Sequence, residues 1–210
     1  RRRQRMAIMV TREPRCFEKI LGALQSGSLR KADPALVLSN RRDLEPLARE
    51  HRLPFVHVPW DDRLKAEQQA LRALDEHEAD FIVLARFMKI LSPEFARRYA
   101  GAMLNIHPSL LPKFPGLHTH ERVLEAGDPV HGASVHFVTG ELDAGPVVLQ
   151  ARVPVLAGDT AARLSARVQQ QEHIIYPEAI GWIAAGRLRL LDGKPYFDGQ
   201  PLAQPLVRTA

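Results

Sequence analysis

The sequence predicts an α/β fold, an open, Rossmann-like and mostly parallel sheet with helices on both faces. Short apolar runs rich in Val and Ile alternate with longer segments of helical period, which is the pattern expected of a parallel sheet covered by helices. The chain has 210 residues, 45% of them hydrophobic and 25% charged, a mixture typical of a globular protein with a sizeable core. We therefore expect one domain rather than two.

The elements follow one another in chain order. Five strands are expected in the first half, over 6–10, 35–39, 55–58, 81–84 and 103–107. Helices near 16–26, 44–51 and 63–78 separate the first four of these strands. The chain then becomes richer in Pro and Gly, and we expect strands over 133–138 and 147–155, a long helix over about 160–184 and a small closing strand pair.

The two chain ends and the charge limit the kinds of partner. The domain is expected over 6–200, between a basic arm or linker remnant at 1–5 and a tail at 201–210. Six basic residues in the first fifteen positions inflate the net charge of +5, so a nucleic-acid partner is not expected. The apolar run after the arm is too short for a signal peptide, and no segment reaches the roughly 18 apolar residues that span a bilayer. With a single cysteine, Cys16, an internal disulfide is excluded, and the cytoplasm is the expected location.

Two polar side chains end the fifth predicted strand. Asn105 and His107 are two residues apart, so in an extended segment both project to the same side. Ligands of open α/β sheets bind outside the carboxyl ends of the strands, which is where this pair falls. An Asn amide can stabilise a developing oxyanion, and a His can donate a proton or, when charged, stabilise negative charge. The pair could equally cap the turn before Pro108.

A second polar motif, Glu141–Gly145, follows the sixth predicted strand. Gly145 allows a tight turn, and the loop could hold the carboxylate of Asp143 against the imidazole of His107. The same residues also suit an ordinary hairpin loop, and spacing alone does not establish the pairing.

Other kinds of centre are not favoured. His118, His120 and His136 could suggest a metal, but no carboxylate or cysteine stands at a diagnostic interval, so no metal is expected. Ser109 and Ser134 lack the motif that surrounds a nucleophilic serine, and no glycine-rich nucleotide-binding loop follows the first strand.

Several motifs occur together in the second half of the chain: N-I-H-P-S at 105–109, L-L-P-K-F-P-G-L-H-T-H at 110–120, G-A-S-V-H-F-V-T at 132–139 and L-D-A-G-P at 142–146. Over about 87–200 they resemble the glycinamide ribonucleotide formyltransferase family of purine biosynthesis, in order and in spacing. The resemblance implies the formyltransferase fold and a catalytic trio of Asn105, His107 and Asp143. In that family's mechanism the His–Asp pair supports proton movement, and the Asn polarises the formyl carbonyl while an amine attacks it.

The same resemblance implies the substrates, which are small molecules. The formyl donor would be 10-formyltetrahydrofolate, a co-substrate rather than a tightly bound group, and the acceptor would be glycinamide ribonucleotide. Glu172 matches a contact to the acceptor amine, although by itself it would be a polar residue on a solvated helix face. A homo-oligomer remains open. The residues implied to contact the donor are Arg63, Met88, Lys89, Ile90, Leu91 and Asn105.

The first half departs from the transferase pattern. The family has a Gly-Ser-Asn turn that cradles the substrate phosphate, whereas this chain reads T-R-E-P-R-C at 11–16. Pro14 has no backbone N–H to donate, and Glu13 places a negative charge near the expected phosphate. Arg12 and Arg15 could partly replace the lost attraction by contacting the phosphate of the acceptor nucleotide. Arg86 also stands where the transferase usually has a small residue.

The stretches T-R-E at 11–13, L-S-N at 38–40, L-P-F-V-H-V-P at 53–59 and L-A-R-F-M at 84–88 look more like formyltetrahydrofolate deformylase. That related enzyme transfers the formyl group to water and normally carries an N-terminal regulatory domain. The sequence thus reads as a mosaic, with formyl transfer to glycinamide ribonucleotide as the leading prediction. The alternatives are hydrolysis to tetrahydrofolate and formate, or folate binding with little turnover.

Overall fold

The computed structural model of the chain describes residues 2–209, in which eleven strands and six helices form. The strands are β1 (Gln4–Val10), β2 (Ala32–Ser39), β3 (Phe55–His57), β4 (Phe81–Ala85), β5 (Met103–His107), β6 (Val130–Phe137), β7 (Val147–Pro154), β8 (Leu188–Leu191), β9 (Lys194–Phe197), β10 (Gln200–Pro201) and β11 (Leu206–Thr209). The helices are α1 (Arg15–Gln25), α2 (Glu45–Glu50), α3 (Arg63–Glu76), α4 (Pro93–Arg98), α5 (Thr119–Ala126) and α6 (Ala161–Ala184).

The main sheet has eight strands in the order β11-β7-β6-β5-β4-β1-β2-β3. All neighbours run parallel except β6, which is antiparallel to both β5 and β7. The predicted mostly parallel α/β sheet is therefore confirmed. Among the described residues, no helix is long and apolar enough to cross a membrane.

Helices cover both faces of this sheet, and β1 shows why its sequence is continuously apolar. Its side chains alternate between two buried clusters, with Ile8 and Val10 in the cluster under α1 and α6, and Ala7 and Met9 in the cluster under α3 and α4. A strand that is buried on both faces has no solvated side for polar residues.

Three elements and the chain ends differ from the prediction. The sequence did not indicate α4, α5 or β11, and the closing strand pair is a three-stranded sheet because β10 joins it. The helix α4 has six residues and α5 has eight, too few turns for a clear helical period. Gln4 and Arg5 of the expected arm belong to β1, and the expected tail contains β11 beside β7. Arg1 and Ala210 lie outside the described residues.

The strand order brings three chain segments to one edge. The strands β5, β4 and β1 are adjacent and parallel, so their carboxyl ends lie side by side. His107 ends β5, Arg86 follows β4 and Thr11 follows β1. His136 on β6 pairs with Asn105 and thus lies at the same edge.

Candidate active site

His107 and Asp143, which the sequence could not connect, lie together. The imidazole Nδ1 is 3.5 Å from the Asp143 carboxylate Oδ2, and each side chain is only 7% exposed. The other ring nitrogen, Nε2, donates to the Phe114 carbonyl at 2.9 Å. Since Nε2 holds its proton on a carbonyl, a second proton on Nδ1 would face a carboxylate. Because both side chains are buried, the pair can hold a proton at a place that bulk water does not reach.

The loop that carries Asp143 is held by a hydrogen bond from another segment and by close packing. The N–H of Gly116 donates to Asp143 Oδ2 at 2.9 Å, and Asp143 itself has a φ of +53°, in the left-handed region. Gly145 is required by a close approach, because a Cβ there would collide with the Phe137 carbonyl oxygen. The sequence predicted a tight turn at Gly145, and glycine is needed there because the loop packs closely against β6.

His136, for which the sequence did not favour a metal-ligand role, contacts Asn105. Its Nδ1 donates to the Phe137 carbonyl at 3.0 Å, which leaves Nε2 to accept from the Asn105 amide at 3.3 Å. Burial lowers the pKa of His136, although the nearby Asp143 carboxylate opposes this shift, so the neutral ring is favoured. A neutral His136 orients the Asn105 amide beside the His107–Asp143 pair.

A narrow cleft opens beside Asn105 and Asp143. Ile90 and Leu142 in its lining are 61% and 58% exposed, and the charged residues Lys89 and Glu141 are exposed beside them, so its open side is partly apolar and partly charged. Met88, expected in this site, is 59% exposed and does not line the cleft, and Arg63 lies exposed at the start of α3 outside the lining. The lining residues are Leu84, Phe87, Lys89, Ile90, Leu91, Asn105, His136 and 138–143.

The irregular segment 87–91 is held at both ends by buried side chains that the sequence did not single out. The N–H of Met88 donates to Thr11 Oγ1 at 2.9 Å. At the other end, the N–H and hydroxyl of Ser92 donate to the two carboxylate oxygens of Glu67, at 2.6 and 2.5 Å. Glu67 is 6% exposed, so these hydrogen bonds form away from water. Together Thr11 and Glu67 clamp the segment that forms one wall of the cleft.

Glu172 is buried beside Arg86 rather than solvated on its helix. The Arg86 Nη2 donates to both Glu172 carboxylate oxygens, at 3.0 and 2.7 Å, and Glu172 is 5% exposed. Burial raises the pKa of Glu172, the Arg86 guanidinium opposes this, and the Glu13 carboxylate adds to it. Arg86 has a φ of +59°, a conformation that costs an L-residue about 1 kcal/mol or more. The buried ion pair holds the side chain there.

Tyr176 sets the position of Glu172, one helical turn away on α6. Its hydroxyl lies 2.6 Å from the Leu84 carbonyl and 3.0 Å from the Leu104 carbonyl, so it bridges β4 and β5. The ring is fully buried between the helix and the sheet. This contact places the Glu172 turn of α6 over the carboxyl ends of the two strands.

The turn after β1 is partly filled by its own acidic residue. Glu13 Oε1 accepts from the backbone N–H of Arg15 at 3.2 Å, at the start of α1. Arg15 Nη1 donates to Gln169 Oε1 at 3.1 Å, and Arg12 is exposed. One of the N–H groups available to a phosphate is therefore already occupied. Burial raises the pKa of Cys16 to about 12, which keeps this thiol protonated.

Two further histidines lie against each other near the site. His120 Nδ1 and His131 Nε2 are 3.0 Å apart, and burial lowers the pKa of His131 to about 4. Such a pair is neutral at ordinary pH. Within residues 2–209, no three His, Cys, Asp or Glu side chains are grouped as ligands for a metal ion.

A buried His–Asp pair, an oriented amide and an adjacent cleft at the carboxyl ends of parallel strands form a centre suited to acyl chemistry. The chain belongs to the formyl transferase family, whose family model matches residues 4–180. The family predicted from the motifs at 105–146 is thereby confirmed.

Named relatives agree with this assignment. The chain is 47% identical over 191 residues to phosphoribosylglycinamide formyltransferase of Escherichia coli strain K12, which covers 89% of this chain and 90% of that protein. The solved phosphoribosylglycinamide formyltransferase of Coxiella burnetii superposes with a TM-score of 0.92 at 39% identity, covering 98% of this chain and 99% of that one. A formyltetrahydrofolate deformylase from Pseudomonas syringae gives a TM-score of 0.88 at 33% identity, covering 93% of this chain and 66% of that one.

Proposed function

We propose that this protein transfers the formyl group of 10-formyltetrahydrofolate to the amine of glycinamide ribonucleotide, in purine biosynthesis. The observation that carries the proposal is the buried His107–Asp143 pair with Asn105 beside it, in a chain 47% identical to a named transferase of this kind. The catalytic roles of the three residues are part of the proposal.

The reaction moves one formyl group and one proton. The acceptor amine attacks the formyl carbon, a new C–N bond forms, and the bond from that carbon to N10 of the folate breaks. The amine loses one proton, and N10 gains one. Asn105 donates to the oxygen on which negative charge develops, while His107 and Asp143 carry the proton between the two nitrogens. No metal enters this scheme.

The donor fits the cleft by shape and polarity. A folate has a flat aromatic head, which suits a narrow cleft that ends at Asn105 and opens past the exposed Ile90 and Leu142. Lys89 and Leu91 line the same wall, so we assign them to the donor together with Ile90. The assignments of Met88 and Arg63 rest on the resemblance to the family.

We assign the acceptor to the side of Glu172, which does not line the donor cleft. Its buried carboxylate can receive hydrogen bonds from the acceptor amine. Arg12 and Arg15 near the start of α1 are the proposed contacts to the nucleotide phosphate.

The test is an assay of purified protein with 10-formyltetrahydrofolate, in the presence and absence of glycinamide ribonucleotide. We expect tetrahydrofolate release to depend on the nucleotide and to match the formation of formylated nucleotide. Release that is equal with and without the nucleotide contradicts the proposal.

A second candidate is hydrolysis of the donor to tetrahydrofolate and formate. One observation in its favour is that the Glu13 carboxylate accepts a hydrogen bond from the Arg15 N–H, a donor that a phosphate-binding turn would leave free. The other is the similarity to a solved deformylase. In this reaction water attacks the formyl carbon, the carbon–N10 bond breaks, and N10 gains a proton as formate leaves. The same assay separates the two, because formate replaces the formylated nucleotide.

A further inference from the structure

We infer that Arg86 is a specificity-determining residue, an internal cation that occupies the place of the acceptor amine on Glu172. An amine acceptor must displace this guanidinium before it can bind, whereas water need not. This inference rests on the proposed formyl transfer. Arg86 sets how readily an amine, rather than water, reaches the formyl carbon.

The first observation is the contact itself. A single guanidinium nitrogen, Arg86 Nη2, donates to both oxygens of Glu172, at 3.0 and 2.7 Å. An ammonium group bound at the end of the pocket would make the same kind of hydrogen bond to the same two oxygens. Glu172 is 5% exposed, so it offers little further surface for a second cation while Arg86 remains in place.

The second observation is space. The cavity bounded by Arg86, Glu172 and Glu13 has a volume of about 10 Å³. That is close to the smallest cavity that holds one water molecule, and it is far too small for the amine arm of a nucleotide. An amine acceptor therefore requires Arg86 to move.

The third observation is the charge balance around the guanidinium. Arg86 pairs with Glu172, and Glu13 lines the same cavity, its Oε2 buried without a hydrogen-bond partner in the described part of the chain. Glu13 has a cation of its own, because Arg15 Nε lies 3.8 Å from its other oxygen, Oε1. Without Arg86, no cation of the described residues would contact Glu172, whose carboxylate would then be open to an ammonium group.

The test is the affinity for glycinamide ribonucleotide, measured by calorimetry without any formyl donor, in the wild-type protein and in Arg86→Gly. Glycine suits the left-handed backbone at this position, so the substitution removes the side chain without adding strain. We expect the Kd to fall about tenfold or more, because the charge-assisted hydrogen bond that Arg86 makes to Glu172 becomes available to the acceptor amine. The product ratio of formylated nucleotide to formate should rise in parallel.

The matched control is Arg52→Gly. Arg52 has nearly the same backbone conformation, with a φ of 57°, but it is exposed in the loop between α2 and β3. This variant should leave both the Kd and the product ratio unchanged. If Arg86→Gly does not fold, Arg86→Gln removes the charge at similar length and is expected to shift the Kd in the same direction.

Equal or weaker binding of the nucleotide by the Arg86 variants overturns the inference, because Arg86 would then be inert or would itself bind the acceptor. The binding result does not depend on turnover. A wild-type protein that forms no formylated nucleotide contradicts the proposed function instead, so the two failures are distinguishable.

Discussion

Asp143 contacts the N–H of Gly116 and the imidazoles of His107 and His136, and the proposed chemistry depends on the contact with His107. Replacing Asp143 with Asn keeps the shape of the side chain and an acceptor oxygen for Gly116, but it removes the charge that faces His107. We expect kcat to fall by about 10²–10⁴-fold, the usual contribution of a positioned proton-transfer group. His107→Ala should lower kcat to a similar extent.

Asp192→Asn is the control for this prediction. Asp192 has a similar left-handed backbone, with a φ of 49°, in the turn between β8 and β9. It should leave kcat unchanged, so any cost of an Asn in that conformation is measured separately. Turnover near the wild-type value in Asp143→Asn, with the fold intact, would remove the proposed role of the carboxylate.

At this scale the sequence indicated which side chains to propose as the reacting ones, but not their contacts. Asn105 and His107 could be paired because strand geometry puts alternate residues on one side. Asp143 lies 36 residues beyond His107 in the chain, and only the packing of its loop against Gly116 brings the two together. Glu67 looked like any polar residue on a helix, since its burial depends on how Ser92 docks against it.

Between elements, the clamp on segment 87–91 gives a prediction for the helix α3. Glu67→Gln exchanges one acceptor oxygen for a donor amide, which cannot accept from Ser92. We expect KM for the formyl donor to rise roughly tenfold, the equivalent of about 1.4 kcal/mol of lost charge-assisted hydrogen bonding, with a smaller change in kcat. The measurement is steady-state kinetics with the acceptor at saturation.

Glu76→Gln lies on the same helix at an exposed position and should leave both constants unchanged. If Glu67 only stabilised the fold, Glu67→Gln would lower the melting temperature without selectively raising KM for the donor. A fall in kcat at an unchanged KM would therefore contradict the proposed role of Glu67 in holding segment 87–91.

The contact between α5 and β6 predicts a pH effect on stability. The His131 pKa is about 4 in the folded protein and about 6.5 when unfolded, so between these values the unfolded chain binds the extra proton. The free energy of unfolding should thus fall as the pH drops from 6.5 to 4, by up to about 3 kcal/mol from this group. Urea titrations across this range should show a smaller loss in His131→Gln, and parallel curves for the two proteins would exclude the assignment.

Elements with a strong local signal were predictable. The helix α6 is long enough for its period to be read, and β4 and β5 are short apolar runs, so their bounds differ little from the prediction. The helices α4 and α5 are too short for a clear period. Ser92 caps α4 through the N–H of Phe95, with Pro93 after it, which is a local capping pattern. His118 precedes α5 in a left-handed conformation, and such a start depends on surrounding contacts more than on local pattern.

At the scale of the whole molecule, the strand order explains how two enzymes with different reactions can use the same edge of one sheet. The adjacent carboxyl ends of β5, β4 and β1 carry, respectively, the proposed reaction centre, the Arg86 contact and the Glu13 turn. The first of these matches what the resemblance to the transferase implies, and the other two are where the sequence departs toward the deformylase. We therefore expect the formyl acceptor to be decided by side chains on these two neighbouring strand ends, on a fold that both enzymes share.

The most direct test follows the formyl carbon itself. Donor labelled with ¹³C in the formyl group is incubated with the protein and glycinamide ribonucleotide, and the carbon is observed by NMR. We predict that the label appears as the formamide of the nucleotide, at a rate equal to tetrahydrofolate formation. Label found only in formate, with the nucleotide unchanged, would contradict formyl transfer to the amine.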